Sequence, residues 1–306
     1  MRNEREMSSR YMASLVALGC LGLFLWGCSR TDAPAKSKPS GSAGKTESAA
    51  DAGKALESFQ SLEGNLDIAG GTAHIPVMEE AAKRVMKANA KIRITVAGGG
   101  SGMGVQKVGE GLVQIGNTGR ALSDEEVKKH GLKSFAFAVD GVAVVVHPDN
   151  PVREMTTQQI KDVFAGKTTN WTDLGGKDAK ITLYSRDEGS GTRAVFWKKL
   201  LAKGDVAQNA NVVPSNGAMK TAIAGDANGI GYLSIGHVDK SVVGVKVDGV
   251  EPTQENAKDG TYKVTRKLYM NTKGDPTGLT KAFIDYVMGP GAAEIVRSKG
   301  YIPLAK

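Results

Sequence analysis

From Leu62 onward, short apolar runs alternate with stretches whose apolar residues recur three and four positions apart. "NLDIAGG" is an apolar run ending in glycine, and Val77, Met78, Ala81, Ala82, Val85 and Met86 then share one face of a helix. "KIRITVAGGGSG" alternates as a strand does and leads into a helix carrying Val105, Val108 and Leu112. "GVAVVVHPDNP" is apolar throughout, which predicts a strand covered on both faces and stopped by Pro148 and Pro151. "KITLYSRDEGSGT" repeats the strand-then-helix order, with Val195, Phe196, Leu200 and Leu201 on the helix. Helical spacing returns at Ala218, Met219, Ala222 and Ile223, and again at Leu279, Ala282, Phe283 and Tyr286. The alternation predicts an α/β architecture with mixed, mostly parallel sheets and no internal repeat.

The first 28 residues have a different pattern. Arg2, Arg5 and Arg10 precede an uncharged run from Met12 to Gly27, sixteen residues that fall short of the ~20 needed to span a bilayer. A secretory signal is the better reading. Glu4 and Glu6 sit oddly in a basic leader, and a start at Met7 would remove both. The run ends at Cys28 in "LWGC", similar to a bacterial lipobox although Trp26 is larger than the usual residue there. Cys28 is therefore the expected lipidation site; "ALGC" at Cys20 leaves too short an apolar core. Both cysteines belong to this leader, so the mature body forms no disulfide and relies on its core. A freely secreted protein with two incidental leader cysteines is the alternative. Residues 29–61 are rich in Ser, Ala, Gly, Lys and Pro with almost no large apolar side chain, and read as a flexible tether reaching on the order of 30 Å.

Length and charge narrow the field. The 306 residues suffice for one large or two medium cores. The net charge of +8 is spread without a basic block, which argues against nucleic acid as a partner and leaves only modest steering of small anions.

Three strand-to-helix junctions repeat one chemistry: Gly70-Gly71-Thr72, Gly98-Gly99-Gly100-Ser101-Gly102, and Gly189-Ser190-Gly191-Thr192. Each offers main-chain N–H groups, a hydroxyl and the positive end of a helix dipole. In open α/β sheets such junctions face a shared crevice at the carboxyl ends of the strands. One such turn alone reads as an ordinary helix cap. Three together, with the forked donors of Arg186 just ahead of the last, predict a cleft for a small oxygen-rich anion. Asp187 and Glu188 read as first-turn acids that favour the dipole and orient Arg186.

Enzymatic readings fit poorly. The first glycine run lacks the Gly-Lys-Ser/Thr of a phosphate-binding loop of the nucleotide kind, because Met103-Gly104 follow. Neither Ser101 nor Ser190 sits in Gly-x-Ser-x-Gly. His74, His130, His147 and His237 have no metal-ligand spacing, so no metal or cofactor is expected. "SDEEVKKH" reads as a solvated helix capped by Ser123.

"GGTAHIPVM", "AGGGSGMG", "IGNTGRALSDEE" and "RDEGSGTR", in this order, resemble the PstS-like phosphate-binding subunits of phosphate ABC transporters. "TQQIKDVFAGKTTNWTDLGG" and "NGAMKTAIAGDANGIGYLSIG" extend the resemblance from about Leu62 to the C-terminus. It implies a two-lobed periplasmic binding protein fold of the type II, Venus-flytrap kind, with a hinge. Residues 62–143 and 237–306 would form lobe 1 and residues 144–236 lobe 2. It implies phosphate contacts at Thr72, Ala73, Ser101, Gly102, Arg186, Ser190, Gly191 and Thr192, Ala73 through its main chain only. Thr118, Arg120 and Glu188 are expected to support these from behind. The implied partners are inorganic phosphate, an ABC permease and ATPase, and a membrane reached through the lipid; a monomer on the outer side of a bacterial membrane is expected. One position departs from the pattern. Many members carry an aspartate in the "IGNTGRALS" segment that accepts the proton of hydrogen phosphate, and Gly119 stands there instead. Asp140 is the candidate replacement, the alternative being a hinge carboxylate bound to backbone. A cleft for sulfate, molybdate or tungstate, or a phosphate sensor or adhesion lipoprotein, remain the competing functions.

Overall fold

The computed structural model describes residues 53–304; the leader, Cys28 and residues 29–52 lie outside the described part. Twelve strands follow in chain order: β1 (Gly64–Gly70), β2 (Ile92–Gly99), β3 (Ile115–Thr118), β4 (Leu132–Val146), β5 (Glu154–Met155), β6 (Thr182–Arg186), β7 (Asn211–Val213), β8 (Gly229–Ser234), β9 (Val243–Gly244), β10 (Lys246–Val247), β11 (Thr265–Lys273) and β12 (Ile302–Pro303). The helices are α1 (Ile75–Ala88), α2 (Gly100–Gly109), α3 (Asp124–His130), α4 (Thr157–Phe164), α5 (Gly191–Lys199), α6 (Asn216–Ala224), α7 (Gln254–Lys258), α8 (Gly278–Met288) and α9 (Pro290–Ser298).

One sheet runs in the order β2-β1-β3-β11-β4-β8-β6-β7. Its outer pairs are parallel, as the strand–helix alternation predicts: β2 on β1, β1 on β3, β8 on β6, and β6 on β7. Its centre is antiparallel, because β11 and β4 run against their neighbours. β4 changes partner along its length. Residues up to Gly141 pair with β11, and Val142 to Val146 pair with β8.

That change of partner separates two hydrophobic cores. The first gathers Leu66, Ile68, Val77, Met78, Phe137, Leu268, Phe283 and Ile295. The second gathers Val142 to Val146, Ile160, Phe164, Phe196, Met219 and Tyr232. The apolar faces predicted for α1 and α8 are buried in the first core, Val77, Met78, Ala81, Ala82 and Val85 among them. α3 buries nothing and is held by the Ser123 capping box with Glu126.

Two boundaries differ from the sequence expectation. Residues 237–264, placed with the first lobe, instead send Val242, Val245, Val247, Tyr262 and Val264 into the second core. The chain returns only at β11, because Val264 still packs behind Val142 and its carbonyl accepts from the Val142 N–H at 2.8 Å. The tether also ends earlier than residue 61. Phe59 is fully buried, lies edge-on to Tyr286, and its carbonyl accepts from Asn89 Nδ2 at 2.8 Å. Ala55, Leu56 and Leu62 pack against the same core beside it.

Candidate functional site

The carboxyl ends of β1, β3 and β6 point into one place. There Gly71, Thr72, Ala73, Gly100, Ser101, Gly119, Arg186, Ser190, Gly191, Thr192 and Arg266 line one small, tight cavity. Seven of the eight expected contacts are thus brought together.

Each is positioned by its backbone. Gly70 has φ +126°, and a Cβ there would lie 2.4 Å from the Asn117 carbonyl, so only glycine lets β1 turn this close to β3. The next residues make a turn rather than a cap: α1 has His74 at its N-cap with no side-chain cap bond, and Thr72 faces the cavity instead. Tyr301 pins the turn by donating from its hydroxyl to the Ala73 carbonyl at 2.6 Å. Ser101 sits inside the first turn of α2, behind N-cap Gly99. Ser190 does cap, accepting from Arg193 N at α5. Arg186 ends β6, where its main-chain N–H donates to the Tyr232 hydroxyl at 3.1 Å. Tyr232 is fixed in turn by stacking on Phe196, with ring centroids 3.9 Å apart.

The walls of the cavity meet directly. Gly102 N donates to the Gly189 carbonyl at 2.9 Å, and Asn216 donates from N and Nδ2 to Thr72 Oγ1 at 3.2 and 3.0 Å. Gly102 is the expected contact that does not line the cavity, because this bond takes its N–H.

Three further expectations are placed elsewhere. Arg120 forms a two-pronged pair with Glu126 at 2.8 and 2.6 Å, away from the cavity. Thr118 donates to the Arg120 carbonyl at 2.8 Å and accepts from Asn271 Nδ2 at 3.0 Å, which steadies the end of β3. Glu188 is exposed. Of the two acids beside the turn, it is Asp187 that approaches Arg186, at 3.9 Å.

Asp140 is not available as a proton acceptor. Its Oδ2 accepts from Arg266 Nε at 2.9 Å and its Oδ1 from Ser234 Oγ at 2.8 Å, and it is absent from the cavity lining. Burial pushes its carboxyl above the usual carboxylate range, while Arg266 and Ser234 pull the other way. The residue that does reach the cavity is its partner. Arg266 lies directly across the β4–β11 ladder from Asp140 and sends Nη1 to Thr192 Oγ1 at 3.0 Å and to the Gly119 carbonyl at 3.3 Å. The sequence reading missed it. The available signal was a single acid, Asp140, in an apolar stretch; Arg266 stands beside Lys267 in β11 and has no such contrast.

The electrostatics point to an anion. Arg186 and Arg266 are both buried, yet Arg186 Nε and Nη1 and Arg266 Nη2 have no hydrogen-bond partner among the described residues. Arg266 Nη2 does lie 2.8 Å from Asp140 Oδ2, without hydrogen-bond alignment. Burial lowers the Arg186 guanidinium from its ordinary value, a cost that an adjacent negative charge would offset. No group of three or more His, Cys, Asp or Glu suited to a metal occurs among the described residues.

Behind the first turn, His74 is fully buried against Phe137 and its pKa falls to about 3. Burial is the main cause and the Arg266 charge adds to it; nearby carbonyls of Tyr269, Gly71 and Thr118 oppose the shift, but neither ring nitrogen meets hydrogen-bond geometry. The fold therefore keeps His74 neutral. Below pH 6.5 the unfolded chain takes up a proton that the folded chain refuses, so stability falls with pH down to about 3. The expected slope from this group is about 1.4 kcal/mol per pH unit. Urea unfolding at pH 7 and pH 4.5 should show His74→Met losing about 2–3 kcal/mol less than the parent chain; equal losses would refute this.

The two cores joined by crossing strands, with a donor-lined cleft between them, define a solute-binding protein, and residues 40–290 match the PBP superfamily domain. The Bacillus subtilis phosphate-binding protein PstS is 38% identical over 248 residues, covering 80% of this chain and 82% of that protein. PstS of Pseudomonas aeruginosa is 31% identical over 271 residues, 79% of this chain and 84% of the relative. Among solved structures, a Clostridium perfringens protein described as a phosphate ABC transporter substrate-binding protein with bound phosphate is 38% identical. It superposes with a TM-score of 0.75, covering 79% of this chain and 100% of that one. An ABC-type phosphate transport receptor from Vibrio cholerae is 33% identical, with a TM-score of 0.63 over 78% of this chain and 99% of its own. The chain belongs to the PstS family of phosphate-binding proteins, whose members are binding proteins rather than enzymes, and it has their two-lobed fold.

Proposed function

We propose that this protein binds inorganic phosphate outside the cytoplasm and delivers it to the permease and ATPase of an ABC importer. The observation that carries this reading is the pair of buried guanidiniums, Arg186 and Arg266, with unpartnered donors at one small cavity. A tetrahedral oxyanion satisfies such donors and offsets the charge of Arg186, Arg266 being paired with Asp140 already. The names of the relatives select phosphate among such anions. Thr72, Ser101, Ser190 and Thr192 supply hydroxyls, Ala73 and Gly191 supply main-chain N–H groups, and the β4 and β11 crossings supply the hinge.

Cys28 carries the lipid in this proposal, and residues 29–52 lead from it to the folded body. No helix of the described residues is long and apolar enough to cross a membrane. Calorimetry with potassium phosphate is the direct test, and absence of heat at millimolar phosphate would sink the reading. The anchor is tested separately: wild-type protein should partition into detergent and Cys28→Ala should stay in the aqueous phase.

A further inference from the structure

The cavity has a second property beyond its charge: each hydroxyl side chain on it has its proton free to give. Thr72 Oγ1 accepts two N–H bonds from Asn216, which uses both of its lone pairs. Ser101 Oγ accepts from Gly119 N at 3.0 Å, and Ser190 Oγ accepts from Arg193 N at 3.2 Å. Thr192 Oγ1 accepts from Arg266 Nη1 at 3.0 Å. A hydroxyl that already accepts has its own proton left to give. All four hydroxyls can thereby donate, alongside two guanidiniums; Thr72 has no lone pair left, while Ser101, Ser190 and Thr192 keep one each. No carboxylate or imidazole lines the cavity.

Gly119 is what permits this. A Cβ at that position would lie 2.7 Å from Arg266 Nη1, so a side chain there would displace the guanidinium. The glycine therefore does more than omit an acid: it makes room for a base, which Asp140 holds from behind.

We propose that Arg266 is a second anion-binding and selectivity-determining residue, and that this cavity, which holds no charged acceptor, takes proton-free tetrahedral dianions such as sulfate as readily as hydrogen phosphate. The inference rests on the oxyanion reading of the same cleft. Its physical basis is that discrimination arises when one ligand leaves a buried polar group of the site unpaired and the other does not. Sulfate leaves no carboxylate or imidazole of this cavity idle, because none lines it. The proton of hydrogen phosphate meets only neutral acceptors, the remaining lone pairs of Ser101, Ser190 and Thr192.

The test is calorimetry of the purified full chain with potassium phosphate and with sodium sulfate. In the wild type, sulfate should bind within about tenfold of phosphate. Phosphate binding with sulfate weaker by about a thousandfold overturns the inference while leaving phosphate binding intact. Binding of neither anion overturns both. Gly119→Asp should cut sulfate affinity far more than phosphate affinity, moving their ratio by about a hundredfold; an unmoved ratio overturns the role of position 119. Arg266→Gln combined with Asp140→Asn removes the ion pair together, so that no lone charge stays buried. It should weaken both anions by about a hundredfold with their ratio kept, and unchanged affinities overturn the role of Arg266.

Discussion

Arg186→Ala is expected to lower phosphate affinity by about a hundredfold or more. Removing one partner of a buried charge pair costs about 3–5 kcal/mol, much of it the burden on the charge left behind. In the complex that remaining charge would be the anion itself, held in a cavity that Arg186 helps enclose. The fold should respond differently. Two of the three nitrogens of Arg186 have no hydrogen-bond partner among the described residues, and the third donates to the Pro214 carbonyl at 3.0 Å with Asp187 at 3.9 Å. A volume-matched Arg186→Met should therefore unfold at or above the wild-type temperature without phosphate, while losing the rise in Tm that phosphate gives. Calorimetry and thermal unfolding on the two variants separate binding from folding; wild-type affinity in either would remove Arg186 from the site.

Asp140→Ala should show the opposite division. It strands Arg266 in the interior, where the carboxylate now neutralises it at 2.8–2.9 Å, so stability should fall by about 3–5 kcal/mol. An anion beside Arg266 would restore part of the balance. Ligand that binds only the folded state stabilises it according to concentration over Kd, so added phosphate should raise Tm more in this variant than in wild type. A loss under about 1 kcal/mol, or an equal phosphate shift in both proteins, would mean that the pair is not the main support of Arg266.

What could be read from the chain alone was what is local. The three glycine–hydroxyl junctions and Arg186 each sit within a few residues of a strand end, so period and turn chemistry locate them. The same holds for the apolar faces of α1 and α8 and for the Ser123 cap. Arg266 was invisible because its meaning depends on register: it faces Asp140 across a ladder that joins residues 126 positions apart. Asp140, seen without its partner, fits either a proton acceptor or a hinge carboxylate, and only the register shows that Arg266 and Ser234 hold it. Gly102 was placed at the right turn, but its N–H is taken by Gly189, a contact between the two walls that turn chemistry cannot reveal. Phe59 and the stretch from Val242 to Val264 were misplaced for a similar reason, since a few apolar residues in polar surroundings do not say which core will receive them.

The bonds from Gly102 to Gly189, from Asn216 to Thr72 and from Arg266 to Thr192 have a kinetic consequence. They join the two walls through protein atoms, so they favour the shut arrangement of the clamshell over an open one. A receptor of this kind gives up less of its intrinsic affinity to the cost of shutting. The same bonds must break before cargo can leave, so they lengthen its residence time. Under the proposed function, a permease that docks on the shut receptor would have to part these contacts to unload it.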